Sequence, residues 1–78
     1  MATIKVLFFA SLREQLGKGE IAFTADFPLS ALQVWQQCSG EMQLPTNVLI
    51  SLNHEYASST SLVNAGDELA FFPPVTGG

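Results

Sequence analysis

Seventy-eight residues, 47% of them hydrophobic with six Phe and only 13% charged, make one small domain that is apolar enough to fold and too short for a second. Three basic against seven acidic residues give a formal charge of −4 with no Lys/Arg cluster, which argues against nucleic acid or anionic membrane as a partner and suits a basic protein instead. The lone Cys38 excludes an internal disulfide and fits a reducing compartment, no apolar run reaches the ~20 residues of a membrane span, and MATIKV lacks the regions of a signal peptide, so the cytoplasm is the expected location.

Residues 3–10 (TIKVLFFA) are rich in β-branched and aromatic side chains and read as a strand. Parity puts Ile4, Val6 and Phe8 on one face and Lys5, Leu7 and Phe9 on the other, and Lys5 marks the second face as the wetter one. Phe9 is then exposed or covered by a partner. Ser11-Leu12-Arg13-Glu14 has the Ser-x-x-Glu form of a capping box, with Leu12 and Leu16 on one stripe and Gly17 as a stop, so a short helix is expected there. Residues 20–24 (EIAFT) alternate as a second strand.

Pro28 and Ser30 open a helix in which Ala31, Val34, Trp35 and Cys38 fall at i, i+3, i+4 and i+7, and Gly40 ends it. Residues 42–47 are loop, broken by Pro45. Residues 48–52 (VLISL) form the most β-like run, and Asn53-His54 turns it into a short segment at Glu55-Tyr56. Residues 58–61 are a polar connector. Asn64-Ala65-Gly66-Asp67 is turn chemistry, followed by a last strand over residues 68–72, with Leu69 and Phe71 on one face and Ala70 and Phe72 on the other.

The first and last strands are the most apolar and belong at the centre of a sheet, and the one long helix covers one face. That order predicts an α+β fold, a β-grasp or ubiquitin-like mixed sheet with one main helix and a short one. The competing arrangement is a small antiparallel barrel, which gives the stripe of residues 31–38 no sheet to lie on. The division expected is a β-grasp domain over residues 1–72 and an extended tail over 73–78.

Few side chains inside that domain suit chemistry. His54 reads as a solvated turn residue, with no second His or Cys nearby and no Ser that needs a base. Cys38, on the apolar stripe, reads as a small buried hydrophobe and not as a reactive thiol. Asp67 and Glu68 are adjacent on a strand and point to opposite faces, which rules them out as a paired acid and base. The glycines make no phosphate loop, and no metal constellation is present.

The ending FFPPVTGG draws attention instead. Pro73 and Pro74 lack backbone donors and fix φ, so they end the strand and extend the chain outward. From Phe72 to Gly78 the reach is at most about 20 Å, at ~3.3–3.6 Å per residue. Gly77 and Gly78 lack Cβ and can thread a channel closed to any side chain, which leaves the terminal carboxylate as the functional group at the tip. It is inert until activated, for example as an acyl adenylate that a sulfur or amine nucleophile can attack.

IKVLFFASLRE near the start and NAGDELAFFPPVTGG at the end, with a single main helix between, resemble the small sulfur-carrying subunit of molybdopterin synthase, the MoaD family, over essentially the whole chain. The resemblance implies that an activating enzyme of the MoeB type adenylates Gly78 with ATP, linking AMP to it transiently, and that a sulfur donor converts the adenylate to a thiocarboxylate. No stably bound cofactor is implied. Thr76 and Gly77 would follow Gly78 into the pocket of a large subunit of the MoaE type, where the sulfur reaches cyclic pyranopterin monophosphate. Two deliveries build the dithiolene that ligates molybdenum, in a heterotetramer with a dimer of large subunits at its centre.

Phe9, Arg13 and Phe72 match family positions that contact partners, and the expected docking surface also takes in Pro73, Pro74 and Val75. For the two phenylalanines, ordinary core packing is the alternative. Two other functions share the Gly-Gly ending: a thiazole-forming sulfur carrier, not expected to carry FFPPVTGG or VLFFASLRE, and a protein modifier joined to lysines. A plain interaction module, in which the tail is dispensable, is a third.

Overall fold

The computed structural model describes residues 1–45 and 47–73. In chain order it contains β1 (Ala2–Phe8), α1 (Ala10–Leu16), β2 (Glu20–Ala25), β3 (Leu29–Ser30), α2 (Ala31–Ser39), β4 (Leu49–Leu52), β5 (Glu55–Ala57), β6 (Leu62–Val63) and β7 (Glu68–Phe72). Five strands form one sheet in the order β2-β1-β7-β4-β5, with β1 and β7 parallel and the other pairs antiparallel. The sheet is open, with β2 and β5 at its edges, so the barrel arrangement is not the one adopted. The most apolar strands, β1 and β7, do sit at the centre. A two-stranded ladder, β3 with β6, lies apart from it and has no counterpart in the sequence expectations.

Helix α2 forms because its ends and its stripe agree. The Ser30 hydroxyl accepts from the Gln33 amide at 3.1 Å, and the Gln33 side chain accepts from the Ser30 amide at 2.8 Å, a complete capping box. Gly40 closes the other end in the left-handed region, at φ 79°. Ala31, Val34 and Trp35 are fully buried and Cys38 is half-buried. These side chains meet Ile4, Val6, Phe8, Ile50, Leu69 and Phe71 from the sheet, and Leu12 from α1. Phe8 and Phe71 stack with centroids 5.8 Å apart, and Trp35 lies against Phe71 at 5.2 Å. The Trp35 indole donates to the Gln43 carbonyl at 3.0 Å, and no buried side-chain polar atom is left unpaired among the described residues.

The capping box expected at Ser11 is absent. Phe9, in extended conformation, is the N-cap of α1, and no side chain caps the helix. Ala10 turns the chain through a φ of 52°, which places Ser11 one residue inside the first turn, past the position from which a hydroxyl reaches the free amides. The strand expected to run to residue 10 stops at Phe8 for the same reason. The Phe9 carbonyl accepts from the amides of Leu12 and Arg13, so the corner between β1 and α1 is held by backbone alone.

Candidate functional site: the open face of the sheet

With α2 on one side, the opposite face of the five-stranded sheet is left uncovered by the described residues. Parity along β7 sends Glu68, Ala70 and Phe72 to it, and the register then decides their neighbours. Lys5 of β1 stands beside Glu68, and Leu7 beside Ala70. Across β4, Ser51 stands beside Ala70 and Leu49 beside Phe72, and Tyr56 of β5 lies across from Ser51. Phe9 continues the face past the end of β1. Its amide donates to the Phe71 carbonyl, and its ring meets Phe72 edge-on with centroids 6.3 Å apart. Tyr56 reaches Phe72 at the same separation.

The result is a trough of about 340 Å³. Its floor is small: Ala70, only 6% exposed between its taller neighbours, and Ser51. One wall is aromatic, made of Phe9, Phe72 and Tyr56, with Phe9 46% and Tyr56 81% exposed. The other wall is polar, made of Glu68 and His54. Core packing is therefore not what Phe9 does, and Phe72 is half-buried at the margin of the face.

The polar wall is built by a tight turn. Asn53 and His54 join β4 to β5 with φ of 52° and 70°, the two-residue geometry that Asn tolerates and that matches strand twist. Asn53 fastens this turn to β7: its backbone amide donates to the Glu68 carbonyl at 2.8 Å, and its side-chain oxygen accepts from the Glu68 amide at 2.9 Å. His54 is solvated, as the sequence suggested, yet its Nε2 lies 3.0 Å from one Glu68 carboxylate oxygen, and Lys5 Nζ lies 3.8 Å from the other. Asp67 turns away and accepts from the Asn64 amide and the Asn53 side chain, so the two neighbouring carboxylates are separate as expected.

Arg13 is not part of the trough. It sits on α1 with its side chain against Gly19, lining a different concavity with Lys18 and Glu14. Cys38 is also remote in chemistry: burial pushes its thiol from 9.0 up to about 11, with nearby Lys18 opposing weakly, which keeps it protonated and unreactive near neutrality. Among the described residues no group of His, Cys, Asp and Glu could hold a metal ion, and no helix is long and apolar enough to cross a membrane. Of the expected site residues, Phe9 and Phe72 are brought together and Pro73 follows β7 directly; Pro74, Val75, Thr76, Gly77 and Gly78 lie outside the described residues.

Leu7, Ser51, His54, Tyr56 and Glu68 were missed as members of one surface. Their side-chain parity was readable within each strand, but the register that joins four strands into one wall was not.

A mixed sheet gripping one long helix, with an open aromatic face, defines a ubiquitin-like β-grasp protein. The chain belongs to the ThiS family, whose profile matches residues 6–78. It is similar to the molybdopterin synthase sulfur carrier subunit of Escherichia coli (strain K12), with 39% identity across 96% of this chain and 99% of that one. The subunit of the same name from Arabidopsis thaliana is 35% identical, over 96% of this chain and 82% of its own. Among solved structures, SAMP1 from Haloferax volcanii superposes with a TM-score of 0.79 at 26% identity, covering 99% of this chain and all of that one. A putative molybdopterin converting factor subunit 1 from Pyrococcus furiosus gives 0.77 at 21% identity, over 96% of this chain and 100% of its own, a likeness of fold.

Proposed function

We propose that this protein is the sulfur carrier subunit of a molybdopterin synthase and works in the cytoplasm. The observation that carries the reading is the match, nearly end to end, to the E. coli subunit of that name. The geometry supports it, because β7 runs through the middle of the sheet, delivers Phe72 to an exposed aromatic face and passes at once to Pro73 and the segment PVTGG.

In this reading the Gly78 carboxylate carries the chemistry. On an adenylating enzyme of the MoeB type it attacks ATP, forming an acyl adenylate and releasing pyrophosphate. A sulfur nucleophile from a donor then displaces AMP and leaves a thiocarboxylate. ATP is consumed by that partner, AMP is linked to Gly78 only transiently, and the carrier needs no resident cofactor. Thr76, Gly77 and Gly78 enter the pocket of the large MoaE-type subunit, which supplies the catalytic groups that move sulfur onto cyclic pyranopterin monophosphate. Phe9, Phe72, Pro73, Pro74 and Val75 dock the carrier, and Arg13 makes a separate contact beyond the trough. The assembly is a heterotetramer built on a dimer of large subunits.

Deleting Gly78 tests this directly. Molybdopterin formation is expected to vanish while the unfolding midpoint stays put, since a terminal residue contributes little to stability. Undiminished synthesis by the truncated chain would sink the reading. The likeness to SAMP1, described for H. volcanii as a small archaeal modifier protein, favours one alternative, a lysine-linked modifier. Its signature is this chain recovered in covalent conjugates with other proteins.

A further inference from the structure

The trough is divided lengthwise by chemistry. One wall is aromatic, the floor is Ala70 and Ser51, and the far wall holds a single carboxylate, Glu68, a quarter exposed. We propose that the trough accepts one basic side chain of the large subunit, its aliphatic stem on Ala70 against Phe72 and Tyr56 and its cationic tip on Glu68. This rests on the docking role given to the face above.

Several observations point to that occupant. An apolar stem ending in a charge is the shape of Lys or Arg, and it fits a floor of small residues that leads from rings to a carboxylate. The exposed ring of Tyr56, beside the half-buried Phe72, attracts cations. The Glu68 carboxylate also keeps accepting capacity: among the described residues each oxygen has one charged neighbour, and Lys5, at 3.8 Å and half exposed, is a loose, solvent-screened one. The chain's formal charge of −4 favours a cation in the same sense. Asn53 holds the Glu68 backbone by two hydrogen bonds, so the point on β7 from which the carboxylate projects is set before the partner arrives.

The experiment titrates the intact carrier with the purified large subunit at several salt concentrations. Glu68→Gln keeps the shape and removes the charge; affinity is expected to fall roughly 10- to 100-fold, with a flatter salt dependence. Ala70→Leu fills the floor and should weaken binding while Glu68 remains. Asp26→Asn, which removes an exposed acid outside the trough, should leave both quantities as in the parent. The proposal is overturned if Glu68→Gln binds like the parent at every salt concentration while Phe72→Asp still disrupts the complex, or if Asp26→Asn falls as far as Glu68→Gln, since then only net charge matters. A separate result, full affinity in Phe72→Asp, would remove the docking reading itself.

Discussion

Two adjacent phenylalanines on β7 live in different worlds. Phe71 is completely buried, stacked on Phe8 and leaning on Trp35 under α2. Phe72 points the other way, where its neighbours Phe9 and Tyr56 are themselves exposed. Both sit in aromatic clusters at similar spacings, but only the inner cluster excludes water. The inner face holds the domain together, and the outer one keeps apolar area uncovered at a cost in solubility that a permanent or recurring partner offsets.

The contrast makes its largest claim at these two positions. Phe71→Ala should cost about 3–5 kcal/mol in chemical denaturation, a large fraction of the stability of a domain this small. Phe72→Asp should leave stability within about 1 kcal/mol and instead weaken association with the large subunit by roughly 30-fold or more, the loss typical of an aromatic anchor. If both variants lost stability equally, the two faces would not differ in the way described.

A smaller effect sharpens the inner side. Ser30→Ala removes the capping box of α2 and should lower stability by about 1 kcal/mol, whereas Ser11→Ala in α1 should do almost nothing. The pair checks that caps follow backbone geometry and not the Ser-x-x-Glu spelling.

The smallest effect is a matter of pH. The Cys38 thiol binds its proton more tightly in the folded state, about 11 against 9.0, so folding stability should be flat with respect to this group below pH 9 and decline as pH rises from 9 towards 11. Cys38→Ala should remove that decline in alkaline denaturation titrations, and thiol reagents should label the native protein slowly at neutral pH.

How much of this was legible in the sequence follows from how local each feature is. The stripe Ala31-Val34-Trp35 and the alternation of Ile4-Val6-Phe8 are written in spacing alone, and both faces of β1 and β7 were assigned correctly from parity. Leu29↔Val63 pairing was invisible because two-residue strands have no period, and only long-range contact creates them. Ser11 misled because the positive φ of Ala10 leaves no mark on the residue types around it. The sequence sets His54 apart as a turn residue and Glu68 beside Asp67, yet the turn at Asn53 carries His54 and Glu68 to opposite ends of a 3.0 Å contact. Phe9 and Phe72 were linked by resemblance and by parity, and the ring contact adds the geometry that neither contained.

The central claim is that the terminal carboxylate of Gly78 is the group that partners charge with sulfur. Intact-mass spectrometry after incubation with ATP, the adenylating enzyme and sulfide tests it most directly. The account predicts a gain of about 16 Da, one oxygen exchanged for sulfur, that is lost when Gly78 is deleted. An unchanged mass under conditions in which the same enzyme charges an established carrier would contradict it.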